Sequence, residues 1–178
     1  LDAIKIKDTG SKDELVEIFL KEESHLFPNS EWLSLKTNLP EAEVTSILKK
    51  LKGTGRILEI GKGLFIHKDF YDQICPFIKE LLEAFHKANA LTDGLSKEEV
   101  KSRLIKKLYG VDSKSIDVFY DYLIQKKFIK EKNGLTSIYS FTPKQNSDNK
   151  MESLKLINYY KESGYSMPKT DEVIKNSK

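Results

Sequence analysis

The chain has 178 residues, 39% of them hydrophobic, with 30 Lys+Arg against 27 Asp+Glu and a net charge of +3. That length fits one to three small domains with packed cores, and no run of about 18 or more apolar residues is present to cross a bilayer. A single cysteine, Cys75, excludes an internal disulfide and a cysteine-based zinc site, and so small a charge is not the strong basic footprint of a committed nucleic-acid binder.

The basic excess lies late in the chain. Residues 1–70 hold 11 basic against 12 acidic side chains, residues 71–143 hold 12 against 10, and residues 144–178 hold 7 against 5. The opening "LDAIKIKDTGSKDEL" has no signal-like apolar stretch and reads as part of something longer. Cysteine usage points to a reducing, cytoplasmic compartment.

In chain order, "LVEIFLKE" from Leu15 begins the first expected helix, and the Pro28-Asn29-Ser30 break follows it. A short helix, "EWLSLKTNL", ends at Pro40, which opens the next, "EAEVTSILKKLKG". There Val44, Ile47, Leu48 and Leu51 fall at i, i+3, i+4, i+7, an apolar stripe. Gly53 and Gly55 stop that helix. "RILEI" and "LFIHKDF" then flank Gly61-Lys62-Gly63 as a short β-hairpin.

The same order recurs. A helix is expected over roughly residues 74–89, with Pro76 in its first turn because an interior proline would kink it. Thr92-Asp93-Gly94 breaks the run. Ser96-Lys97-Glu98-Glu99 reads as a capping box that restarts a helix with Val100, Leu104 and Leu108 on one face. Tyr109-Gly110-Val111 ends it, and Asp112 or Ser113 caps a third helix with the stripe Ile116, Phe119, Tyr120 and Leu123. "KFIKEK" and "TSIYSFT" flank Asn133-Gly134, a type I′ hairpin turn. Pro143 and "KQNSDNK" form a linker, and "LINYYKES" from Leu156 starts a third copy. The repeat shows in three Leu-to-aromatic pairs: Leu15 with Phe19, Leu81 with Phe85, and Leu156 with Tyr160.

Three short helices followed by a hairpin describe a winged helix. The expected fold class is therefore mainly α with small β-hairpins, α+β, as tandem winged helices. Residues 1–70 form the first, 71–147 the second, and 148–178 the start of a third.

No catalytic constellation is visible. Gly61-Lys62-Gly63 lacks phosphate-loop spacing, with five residues from Gly55 to Gly61 where four are needed and Gly63 where Ser or Thr belongs. His25, His67 and His86 have no ligand-like spacing, and Cys75 has no neighbouring base. No cofactor and no metal site is read from these residues. Trp32 and the tyrosines sit at helical spacing as core residues, although aromatics of this kind also stack on bases. Arg103, Lys106 and Lys107, with Lys126, Lys127 and Lys130, form a candidate phosphate-contacting patch. The same six residues also fit a solvated, lysine-rich face. Asp117 and Asp121 on the later third helix, and Glu41 and Glu43 at the start of the earlier one, oppose DNA readout.

The run "LLEAFHKANALTDGLSKEEVKSRL" resembles the C-terminal region of the bacterial selenocysteine-specific elongation factor. In that family an "LxxFH" helix precedes a break and "G-x-x-[KR]-E-E-x-[KR]-S-[RK]-L". The matching residues are Leu82, Phe85, His86, Gly94, Lys97, Glu98, Glu99, Lys101, Ser102, Arg103 and Leu104. Ala90 stands where the family often has Pro. "YYKESGYSMPKTDEV", with Gly164 and Pro168, is similar to the family's next repeat.

The resemblance implies a winged-helix arm that links a GTP-binding, tRNA-carrying body to an mRNA hairpin recoding UGA as selenocysteine. The hairpin would be held by a winged helix further on, and GTP and Mg would belong to the full-length factor. The implied partners are RNA and, beyond it, the ribosome or tRNA, with no membrane. The segment itself would be a monomeric, non-enzymatic spacer in the cytoplasm. The alternatives are a tandem winged-helix DNA-binding regulator or replication initiator, and a protein-interaction module.

Overall fold

A computed structural model of the chain describes residues 11–142 together with Ile157 and Asn158. The expected third unit (148–178), its Leu156–Tyr160 pair and the linker with Pro143 lie outside the described residues, apart from Ile157 and Asn158, which are helical.

The first helix, α1 (Lys12–Glu23), starts three residues earlier than its apolar repeat suggests. Ser11 and Glu14 form a complete capping box there. Ser11 Oγ accepts from the Glu14 amide at 3.3 Å and Glu14 Oε2 accepts from the Ser11 amide at 2.9 Å. A 3-10 turn, Ser24–Leu26, leads to α2 (Ser30–Thr37), capped by Asn29, and α3 (Glu41–Gly53) follows Pro40. Strands β1 (Ile57–Gly61) and β2 (Leu64–His67) form the first wing. Lys62 and Gly63 both have positive φ at its turn, 51° and 71°.

Helix α4 (Lys68–Ala88) leaves β2 without a linker, so the expected boundary at residues 70/71 falls inside it. Its 21 residues correct two expectations. "KDF" is helical rather than strand, and Pro76 lies well inside the helix rather than in its first turn. Pro76 is exposed, so its missing N–H leaves a carbonyl facing water. The turns before it are held from outside: His67 Nδ1 accepts from the Asp69 amide at 3.1 Å, and Phe70 and Tyr71 pack into the core.

Next come β3 (Leu95–Ser96), α5 (Lys97–Lys107), α6 (Ser113–Gln125), β4 (Ile129–Lys132) and β5 (Leu135–Ile138). The two-residue β3 is absent from the sequence reading. It pairs with β5, giving a sheet of order β3-β5-β4. This pairing accounts for the break at Thr92-Asp93-Gly94. A Cβ at Gly94 would lie 2.1 Å from the Thr136 carbonyl oxygen, so only glycine lets the chain pass the wing here. Ser96 caps α5 by accepting from the Glu99 amide at 3.2 Å. The Glu99 carboxylate meets Arg103 Nε at 2.7 Å.

The stripes expected for α3, α5 and α6 are all buried. The Leu-to-aromatic repeat is not itself the core. Leu15, Phe19, Leu81 and Phe85 are only partly buried, while Val16 and Leu20, and Leu82 and His86, one residue further on, are buried. Residues 11–89 and 93–141 cluster as one compact unit, and Ala90–Thr92 and Thr142 fall outside it. Within the compact unit, one apolar cluster is the first winged helix's own core. The other joins Phe27, Ile60 and Ile66 to α4, α5 and α6. No helix among the described residues is long and apolar enough to cross a membrane.

Candidate nucleic-acid interface

In a winged helix that reads DNA, the third helix enters the major groove. Here that helix, α6, is buried on two sides. Ile116, Phe119, Tyr120 and Leu123 fill its own core, while Val118 and Tyr122 turn toward the first winged helix. A Cβ on Gly61 of β1 would meet Val118 Cγ1 at 3.4 Å, and Tyr122 lines a cleft with Ile60 and Gly61 of β1. The strip left over holds Lys114, Asp117, Asp121 and Gln125. Asp117 is paired with Lys101 at 2.5 Å. Asp117 and Asp121 would repel phosphate along the middle of this strip, whereas Lys114 stands at its start.

The earlier third helix, α3, carries its acidic start into local pairs. Glu41 accepts from Ser30 Oγ at 2.8 Å and Glu43 meets Lys12 at 2.7 Å. Its far end is tied to α1 through Lys50 and Asp13.

The six candidate basic residues are distributed among different partners. Arg103 is bonded to Glu99, and Lys107 lies 5.4 Å from the Phe77 ring of α4. Lys126 lies over Tyr122 at 5.4 Å and lines a shallow cleft with Lys52, Glu59 and Gly61 of the first wing. Lys127 sits 6.0 Å from the Tyr139 ring, and Lys130 donates to the Phe141 carbonyl. Lys106 makes no ion pair among the described residues. Nothing in these contacts gathers the six side chains around one centre.

The aromatic residues divide as well. Tyr120 is fully buried and shares a 2.6 Å hydrogen bond with Thr136 Oγ1; burial pushes its hydroxyl up to about 12. Tyr122 is buried and Tyr71 half-buried. Trp32 is half-buried, with Lys36 Nζ 5.2 Å from its ring. Tyr109 and Tyr139 are exposed, against the expectation of core tyrosines, because each follows the end of its element.

Cys75 is buried, and burial pushes its thiol up to about 11, far from a reactive thiolate. His86 is buried with neither ring nitrogen hydrogen-bonded among the described residues. It stacks on Phe141 at 3.5 Å, and burial, helped by nearby Lys130, lowers its pKa.

Comparison with known proteins bears on the second winged helix. Residues 79–136 match the family model described as elongation factor SelB, winged helix. This segment is similar to the SelB winged-helix family. Among solved structures, the chain is similar to the mRNA-binding domain of elongation factor SelB from E. coli in complex with SECIS RNA. The identity there is 14%, the TM-score is 0.46, and 72% of this chain and 98% of that one are covered. No curated protein sequence matches.

Several of the residues that carry the SelB resemblance are scaffold. Leu82, Leu104 and His86 are buried, and Gly94 passes the wing. Lys97 lies over the Tyr120 ring at 4.8 Å and meets Glu131 at 3.3 Å, and Lys101 pairs with Asp117. The sequence reading missed Val118, Tyr122, Phe27 and Ile60, which join the second winged helix to the one before it. A signal for them is present. "ILEIGKGLFI" is apolar on both faces of its strands rather than alternating, as strands buried on both sides are.

Proposed function

We propose that this chain is a stiff segment of the C-terminal arm of a selenocysteine-specific elongation factor. It sets the distance and direction between a GTP-binding, tRNA-carrying body and a downstream winged helix that holds the mRNA hairpin recoding UGA. One observation carries the spacer role: α6, the helix that would read a groove, is built into the seam with the preceding winged helix through Val118 and Tyr122. The similarity of residues 79–136 to the SelB winged-helix family supports the choice of factor. A helix with both flanks packed cannot enter a major groove, so the DNA-binding regulator is the weaker reading.

The layout that goes with this reading is a first winged helix over residues 1–70, a second over 71–147 and the start of a third over 148–178. The segment acts in the cytoplasm as a monomer and does no chemistry. GTP and Mg belong to the body, and contacts with ribosome or tRNA belong to the assembled factor.

The test measures the spacer directly. Spin labels at Lys12→Cys and Lys132→Cys report the distance between the two winged helices, with buried Cys75 left in place. A single narrow distance distribution is expected, and Phe27→Ala should broaden it. In the intact factor, Phe27→Ala should lower UGA recoding while hairpin affinity stays unchanged. A broad distribution in the unsubstituted chain would refute the stiff spacer.

A further inference from the structure

Tyr109 is 90% exposed, the most exposed large hydrophobic residue among those described. It is not on a loose loop. The preceding residue, Leu108, is buried, and its amide bonds the Leu104 carbonyl at 2.8 Å. The following residue, Gly110, has φ +87°, and a Cβ there would meet Leu26 Cδ2 of the first winged helix at 3.4 Å. Val111 packs against the shared core, and its amide bonds the Leu108 carbonyl at 3.3 Å. Backbone fixed on both sides thus presents a bare phenol ring at the seam between the two winged helices.

The charge around it is one-sided. Residues 103–115, "RLIKKLYGVDSKS", contain Arg103, Lys106, Lys107 and Lys114 against Asp112 alone. Four cations less one anion is +3, the net charge of all 178 residues. Asp112 is occupied as the α6 cap, accepting from the Lys114 and Ser115 amides at 2.9 and 3.0 Å. Arg103 and Lys107 have partners, whereas Lys106 and Lys114 make no ion pair among the described residues.

An exposed, flat aromatic face with unpaired lysines three positions before it and five after it in the chain matches one ligand chemistry, an unpaired nucleotide. The base stacks and the flanking phosphates meet the cations. We propose that Tyr109 is a stacking platform for an unpaired RNA base, with Lys106 and Lys114 contacting the adjacent phosphates. The site rests on the reading of the chain as an arm that works beside RNA. Stacking on a ring and pairing with phosphates read no base edge, so the site tolerates any sequence. The site is narrower than the phosphate-contacting patch expected from the sequence. Of the six residues expected there, only Lys106 belongs to this site, and Lys114 and Tyr109 are new.

Fluorescence anisotropy with a labelled single-stranded RNA of about eight nucleotides at low salt tests it. Tyr109→Ala should weaken binding about fivefold to a hundredfold, the range for loss of one stacked base, and Tyr109→Phe should bind like the unsubstituted protein. Lys106→Ala and Lys114→Ala should each reduce the slope of log affinity against log salt by about 0.7. A fully paired duplex of the same length should bind more weakly. The melting temperature of Tyr109→Ala should be unchanged, since the ring buries almost nothing. Equal binding by Tyr109→Ala, equal loss in Tyr109→Phe, a duplex that binds as well, or no binding at low salt would each overturn the site. The spin-label distance, measured without RNA, judges the spacer reading separately.

Discussion

Phe27 of the first winged helix stacks on Phe119 of the second, with ring centroids 5.2 Å apart and planes 28° from parallel. Phe27 reaches this position with φ at +53°, a conformation that a bulky residue rarely adopts. Burial to 1% exposure, plus the edge contact with Phe70 at 6.1 Å, offsets that backbone cost. The joint between the two winged helices is therefore a packed core rather than a hinge.

Phe27→Ala should destabilise the chain by about 3–5 kcal/mol, as large-to-small core substitutions do. The loss should reach both winged helices. Hydrogen exchange should rise in α6 as well as in α1, and faster exchange confined to residues 11–67 would contradict a shared core.

Gly94→Ala should cost about 1–3 kcal/mol or more, because the added methyl meets the Thr136 backbone rather than a movable side chain. The β3–β5 pairing should be lost first, visible as exchange of the Leu95 and Thr136 amides. Gly53→Ala, where nothing lies within 4 Å, serves as the comparison and should be near neutral.

Leu104→Ala should cost about 2–5 kcal/mol, since Leu104 is fully buried. Asn133→Ala should cost about 1 kcal/mol, through a left-handed backbone at φ 54°. Urea melts showing the reverse order would misplace the core of the second winged helix.

His86 gives the stability a pH dependence of known sign. Its folded pKa lies below the unfolded value of about 6.5, so the unfolded chain takes the proton more readily. The contribution of neutral His86 is whole above that value and falls as pH drops through it. The urea midpoint should therefore decline between about pH 7.5 and 5.5, and His86→Phe should flatten that decline. A midpoint that rises on acidification would reverse the assignment.

Cys75, buried and with its thiol pushed up to about 11, should react with a thiol reagent only as fast as the protein opens. Labelling should accelerate with urea in step with unfolding. Rapid labelling of the native protein would show that α4 is frayed around Pro76.

The sequence by itself determined the local elements. Val44, Ile47, Leu48 and Leu51 repeat at helical spacing, Asn133-Gly134 demands a type I′ turn, and Ser96 and Asp112 cap the helices that follow them. Each of these is decided by residues a few positions apart, within reach of one turn of helix or one hairpin. The run of Leu82 to Leu104 carried the family resemblance for the same reason. Only the tertiary structure decided the rest. Gly94 looks like a turn residue until Thr136, 42 positions later, is seen against it. Pro76 looks like a helix start until His67 and the Phe70–Phe27 contact hold the turns before it. Val118 and Tyr122 look like the ordinary outer face of α6 until β1 covers them, and Tyr109 looks like a core tyrosine until the seam turns it to solvent. In every case the deciding neighbour belongs to another element, and periodicity along one element carries no information about what packs against its second face.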